Sequence, residues 1–415
     1  MKIDDLLGTG RIGDILNALK TLYKVETTRN LSEEIKLNAL LTVLQLNSND
    51  FDSLIADNSP VFRTIKGHAF EIVFEYLVSS AGYNVIDVGG DGDIDLIVNE
   101  HKLQLKTPYA AGTKDNLVQY KTHKTHGAKS ELESIDYYHN IDEFADFLVG
   151  LISYEPLRII FLNKDELPRH PKSKSHILSP FVVNWENHAG FNNFSRIGIN
   201  KIDLSTLSYF PNNLENELLP KSAKKLNLTT NIILDTILFE SNFRIWDMAI
   251  RGWAREVAIN NLFIKNNIKL LKPTTLNKNR ADKSDFALEK KSGGYDFFQV
   301  KGVSTNNCSF NGEKSIIATE TQLTRGRVND HPTQSRLYLL TDFDFLILCV
   351  DPPITKLFNK EIGINNGLLW NFYCIPTILL DKHHIFKNRL KSLQTFNVMD
   401  IEKYRIDKKF LENYL

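Results

Sequence analysis

The chain has 415 residues, of which 42% are apolar and 24% charged; that length suits two to three domains of ~150 residues each, and the balance excludes a disordered or fibrous chain. Lysine plus arginine (50) equals aspartate plus glutamate (50), so any affinity for DNA or for an anionic membrane must come from local charge. The three cysteines, Cys308, Cys349 and Cys374, form no CxxC pair, which excludes a disulfide framework and a thiolate zinc centre. No apolar run reaches the ~18 residues of a membrane span. The opening Met1-Lys2-Ile3-Asp4-Asp5 lacks the apolar stretch of a signal peptide, so a cytoplasmic location and no membrane partner are expected.

Along the chain, residues 1–58 read as an N-terminal helical segment. Asn30 or Ser32 is placed to cap a helix whose Ile35, Leu37, Leu40, Leu41, Val43 and Leu44 form an apolar stripe. A first domain is expected over 59–215 and a second over 229–415. Between them the polar stretch from Pro211 to Asn231, with Pro220, Lys221, Lys224 and Lys225, reads as a linker.

An internal repeat flanks that linker. Lys66-Gly67-His68-Ala69-Phe70-Glu71 recurs as Arg251-Gly252-Trp253-Ala254-Arg255-Glu256, and each copy is expected to open a helix. An aspartate then begins an apolar strand, Asp95-Leu96-Ile97-Val98 or Asp285-Phe286-Ala287-Leu288. After a turn, the returning strand carries Gln104-Leu105-Lys106 or Gln299-Val300-Lys301, and Asp146-Phe147-Leu148 later matches Asp344-Phe345-Leu346. The spacing between equivalents grows in order from 185 (Glu71 to Glu256) through 190 (Asp95 to Asp285) and 195 (Lys106 to Lys301) to 198 (Phe147 to Phe345). Loop insertions in a duplicated unit produce such a progression.

Each copy therefore supplies a helix glutamate, an aspartate, and a Gln-x-Lys pair whose side chains share one strand face. Carboxylate and carbonyl oxygens are the ligands Mg2+ takes while keeping waters for substrate phosphate. A neighbouring lysine can orient or deprotonate an attacking water. Two other roles stand beside this one: Lys106 and Lys301 as edge-strand lysines that block aggregation, and Asp95 as a turn residue. Asp93 is a second candidate to share a metal with Asp95, and Asp282 competes with Asp285.

The ordered set of helix Glu, Asp and (Asp/Glu/Gln)-x-Lys resembles the PD-(D/E)XK nuclease superfamily, which includes many type II restriction endonucleases and Holliday-junction resolvases. The likeness covers roughly residues 60–155 and 245–350. It implies an α/β chain with two tandem restriction-endonuclease-like cores, each a mixed sheet flanked by helices. It also implies that Glu71 and Asp95 hold a metal beside Lys106, and that Glu256 and Asp285 do so beside Lys301. The metal would be Mg2+, with Mn2+ able to substitute. Gln104 and Gln299 stand where an acid is usual, which removes one negative charge from each site.

Local charge points to DNA. Lys102, Lys106, Lys114, Lys121, Lys124 and Lys129 face a single acid, Asp115, between residues 101 and 129, with Tyr109 and Tyr120 interleaved. In the second copy Arg325, Arg327 and Arg336 lie among Asn329 and Gln334, residue types that contact phosphates and base edges. The expected activity is metal-dependent hydrolysis of double-stranded DNA by a restriction-type endonuclease with two active sites per chain, acting as monomer or homodimer, with a cognate DNA methyltransferase in the same system. The alternatives are a structure-specific or low-specificity repair or defence nuclease, and a DNA-binding protein with one or both cores inactive.

Overall fold

Short strands, several of them continuous apolar runs buried along their length, and helices with apolar faces assemble into a mixed α/β architecture. The structure, a computed structural model, describes residues 2–88, 93–111, 116–122, 135, 138–202, 211, 213–277, 279–280, 283–323, 336–361 and 367–415. It divides into two compact units. One comprises Met1–Thr28, Leu37–Leu54 and Asp247–Leu415, the other Arg29–Lys36 and Ile55–Trp246. These cuts fall elsewhere than the boundaries expected from the sequence. Residues 1–58, which form helices α1 (Ile12–Tyr23), α2 (Glu33–Leu44) and α3 (Ser48–Asp57), are shared between the units. The stretch from Pro220 to Trp246 belongs with the first core. It is no solvated linker, because Leu219, Ala223, Leu226 and Leu228 are buried.

The first core starts with α4 (Ser59–Ser80), where the Asn58 side chain accepts the Val61 N–H at 3.1 Å and Pro60 fills the first turn. That cap places Lys66–Glu71 inside the helix rather than at its start. Phe70, Val73, Phe74, Leu77 and Val78 are buried, as their spacing requires. Strands follow in the order β1 (Val85–Asp87), β2 (Leu96–Val98), β3 (His101–Lys106), β4 (Ala110–Ala111), β5 (Leu117–Tyr120), β6 (Phe147–Ser153), β7 (Arg158–Asn163), β8 (Arg169–His170), β9 (Ser173–Ile177) and β10 (Phe181–Asn184). Helices α5 (Pro220–Leu226) and α6 (Thr230–Ile237) complete the unit. The main sheet runs β1-β2-β3-β6-β7, parallel only between β3 and β6; β10-β5-β4 form a second sheet and β8-β9 a hairpin.

The second core has α7 (Arg251–Lys265), α8 (Pro273–Leu276), β11 (Phe286–Glu289), β12 (Tyr295–Gly302), β13 (Ile316–Glu320), β14 (Phe345–Val350), α9 (Pro352–Glu361), β15 (Asn371–Pro376) and β16 (Leu393–Asn397). Its main sheet runs β11-β12-β14-β15, parallel only between β12 and β14, while β13 pairs with β16.

Strand register shows how far the duplication reaches. Leu103 opposes Phe147 as Phe298 opposes Phe345. Phe147 opposes Asn163 as Phe345 opposes Pro376. Tyr120 opposes Phe181 as Thr319 opposes Gln394. Even a side-chain bond recurs: Asp146 accepts the Lys102 N–H at 2.9 Å and Asp344 the Phe297 N–H at 3.0 Å. The repeat thus extends to β10 and β16, well beyond the stretches whose residue types look alike. Both Gln-x-Lys strands are interior to their sheets, each with a neighbour on either side. Lys106 and Lys301 thus lie on interior strands, paired with Gly150 and Leu348 just past the ends of the β2 and β11 pairing.

Candidate active sites

In both cores the aspartate is locked to the neighbouring strand in one manner. The Asp95 N–H donates to the Leu103 carbonyl at 2.8 Å, while its Oδ2 accepts the Leu105 N–H and the Gln104 Nε2 donor, both at 2.6 Å. Asp285 donates to the Phe298 carbonyl at 2.8 Å and accepts the Val300 N–H at 2.7 Å and Gln299 Nε2 at 2.6 Å. Asp95 is thus no turn residue: it is built into the ladder with one carboxylate oxygen committed. Both glutamines are buried. Their amides satisfy the aspartates, a task a second carboxylate could not perform without sharing a proton.

Electrostatics shows that the remaining groups converge. Burial pushes the Asp95 carboxyl up to about 6, with the Glu71 charge adding to the rise and the Lys106 charge opposing it. Burial, and then the Asp285 charge, push Glu256 up to about 8 against the pull of Lys301. Burial likewise raises Asp285, opposed by the Val300 N–H, Lys301 and Gln299. Lys301 is lowered by burial, against the charges of Asp285, Glu256 and Glu320. Each site thus brings together the helix glutamate, the aspartate, the glutamine and the lysine expected from the sequence. Among the described residues no group of three or more His, Cys, Asp or Glu is placed to hold a metal, so each site offers two carboxylates and a carboxamide. That donor set suits a hard cation that keeps several waters. Asp95 and Glu256, pushed up by burial and then by a neighbouring carboxylate, are short of positive charge, and a bound cation would supply it.

The surroundings of the two sites differ at equivalent positions. In the first, His68 Nδ1 lies 3.2 Å from Glu71 Oε2. Burial opposes its protonation, but the Glu71 hydrogen bond and the Glu71 and Asp95 charges outweigh that and raise its pKa. Trp253 holds this place in the second copy. There Arg255 instead meets the Asp351 carboxylate through Nε at 2.8 Å and Nη2 at 2.9 Å, and Arg251 joins it through Nε at 2.9 Å. This buried clamp ties the helix turn bearing Glu256 to the end of β14. Lys66, Phe70 and Ser153 occupy the corresponding places in the first core.

Sequence reasoning missed three neighbours. Asp93 has a partner in His139, whose Nδ1 lies 2.8 Å from the Asp93 Oδ1. Tyr338, the register equivalent of His139, lies with its ring 5.5 Å from the Lys301 ammonium. Glu320 adds a third acid to the field at Lys301, while its equivalent in the first core is Lys121. None of these sits in the repeated motif, and only strand register identifies them. Of the residues expected to contact DNA, Lys121 is exposed with its ammonium 5.1 Å from the Tyr109 ring. Arg336 is half-buried and donates from Nε to the Leu323 carbonyl at 3.1 Å. Lys114, Lys124, Lys129, Arg325 and Arg327, with Asp282, lie outside the described residues.

Among the described residues no helix is long and apolar enough to cross a membrane. No family model, curated protein or solved structure matches the chain.

Proposed function

We propose that the protein is a metal-dependent endonuclease of double-stranded DNA with two PD-(D/E)XK-like active sites per chain. The observation that carries this reading is the recurrence of one hydrogen-bonded Asp–Gln–backbone arrangement, each beside a helix glutamate and a strand lysine. The same glutamate, aspartate, glutamine and lysine are kept in both copies although much of the surrounding sequence has diverged. Asp95 with Glu71, and Asp285 with Glu256, would hold Mg2+ or Mn2+, with the glutamine amides keeping the aspartates oriented. The cation supplies charge neutralisation at the phosphate and acidifies a bound water. Lys301, its ammonium pKa lowered by burial, is suited to accept a proton from the attacking water or to donate one to the departing oxygen. Lys106 has the same place in the first site.

Two sites in one polypeptide suffice to cut both strands. Incubation of plasmid DNA with the full chain and Mg2+ tests the reading. Wild-type protein should linearise the plasmid, whereas Lys106→Ala or Lys301→Ala alone should yield nicked circles. Linear product at the wild-type rate from either variant would remove that core from the assignment. Discrete fragments would mark a restriction-type enzyme with sequence preference, and a gel shift without cleavage would reduce the protein to a binding module.

A further inference from the structure

Each core inserts a short hairpin between its last main-sheet strand and β10 or β16. In the first core this is β8–β9. In the second, residues 382–390 take the same path, with Lys382 bridging Leu390 as Arg169 bridges Ile177. The two hairpins close alike: His170 Nδ1 accepts the Lys172 N–H at 3.2 Å, and His383 Nδ1 accepts the Ile385 N–H at 3.2 Å. Each hydrogen-bonds a residue whose own partner lies in, or two residues from, the candidate site. The Ile177 N–H donates to the His139 carbonyl at 3.0 Å, and the Leu390 N–H to that of Tyr338 at 2.9 Å. His139 pairs with Asp93, two residues before Asp95, and Tyr338 faces the Lys301 ammonium.

Their charge is what a scaffold does not require. Residues 169–177 and 382–390 each contain three Lys or Arg and no acid, in a chain whose total charge is zero. Neighbouring positions diverged freely: Lys172 corresponds to Ile385 and Ser173 to Phe386. Lys174 and Lys387 are equivalent, both exposed, and neither is ion-paired among the described residues. The two arginines are engaged within the protein, since Arg389 donates to the Leu337 carbonyl at 2.6 Å and Arg169 reaches Asp165 at 3.5 Å. An exposed lysine kept at one position of both hairpins, where positions 172/385 and 173/386 changed character, is available to an anionic partner.

We propose that the hairpins 169–177 and 382–390 are paired backbone clamps for duplex DNA, with Lys174 and Lys387 each contacting a phosphate next to its own active site. This rests on the nuclease reading for the choice of partner. Phosphate contacts act through counterion release, independently of base sequence. The test is equilibrium binding of fluorescent duplexes of two unrelated sequences to the full chain, over a salt series, with Ca2+ replacing Mg2+. The double variant Lys174→Ala with Lys387→Ala should lower the slope of log affinity against log salt by about 1.8, at ~0.9 per lost contact, equally for both duplexes. Lys174→Arg with Lys387→Arg should keep the wild-type slope. An unchanged slope in the alanine variant, a loss confined to one duplex, or equal loss in the arginine variant would each overturn the assignment. Wild-type protein that cuts DNA in Mg2+ while the alanine variant keeps its slope would sink the clamp and spare the nuclease reading. Duplex binding with the expected slope change, but no cleavage by the wild type, would do the reverse.

Discussion

The charge deficit at the second site predicts how the metal-free protein responds to pH. Burial and the Asp285 charge lift the Glu256 carboxyl from 4.5 to about 8, so between those values the folded chain holds a proton that the unfolded chain has lost. A group bound more tightly to its proton in the fold stabilises fully below its unfolded pKa, and that contribution is lost as pH rises through the folded one. At ~1.36 kcal/mol per pH unit the whole shift amounts to ~4–5 kcal/mol. Glu256 is only half-buried, and solvent screening reduces this to ~2 kcal/mol. Urea unfolding in EDTA should therefore show stability falling by about that amount from pH 5 to 8.5. Glu256→Gln, which keeps the shape and removes the titration, should reduce the fall above pH 6 and leave the part contributed by His68, whose pKa the fold raises despite burial. The first site contributes a separate limb between 3.8 and about 6 through Asp95, which this variant leaves in place. Mg2+ should restore stability most at the alkaline end, where the carboxyls it would bind are already ionised, and its binding near pH 7 should release protons, visible as a buffer-dependent heat in calorimetry. A wild-type profile that stays flat from pH 6 to 8.5 in EDTA, or an unaltered slope in Glu256→Gln, would refute the electrostatic account of the site.

Three further outcomes follow from the packing and the donor set. With two carboxylates per site the cation is incompletely neutralised, so cleavage should need millimolar rather than micromolar Mg2+, proceed with Mn2+, and stop in excess EDTA; full activity in EDTA would end the metal assignment. Gly150→Ala places a methyl 2.4 Å from the Tyr120 hydroxyl, whose ring is fully buried and whose O–H donates to the Leu151 carbonyl; overpacking there should cost ~1–3 kcal/mol by urea titration. Lys36 is fully buried with its ammonium 2.5 Å from Asp235 Oδ1 and 2.8 Å from Asn231 Oδ1, while Tyr76 donates to Asp235 Oδ2 at 2.6 Å. Lys36→Ala leaves that carboxylate without its cation and should cost ~3–5 kcal/mol, with Lys36→Ala/Asp235→Ala recovering part of the loss.

The sequence alone determined the eight residues of the two candidate sites and the existence of the duplication. Short-range rules govern both: two-residue alternation puts Gln104 with Lys106, and Gln299 with Lys301, on one strand face, and a helix stripe orients Glu71 and Glu256. It also indicated the mixed α/β class, through a helix stripe followed by apolar strand segments in each copy. Pairing between distant segments was left to the tertiary structure, because no local pattern encodes which strand lies beside which. Only the parallel contacts of β3 with β6 and β12 with β14 placed the Gln-x-Lys strands inside their sheets. Only the placement of Pro220–Trp246 against the first core turned an apparent linker into packed helix, since Leu219 and Leu226 are spaced too sparsely among lysines to announce a buried face. The exchange of Lys121 for Glu320, and of His139 for Tyr338, emerged the same way. Both pairs share one offset of 199 residues, but their residue types differ, so only hydrogen-bonded register, which permits no slip without turning every side chain to the opposite face, shows their equivalence.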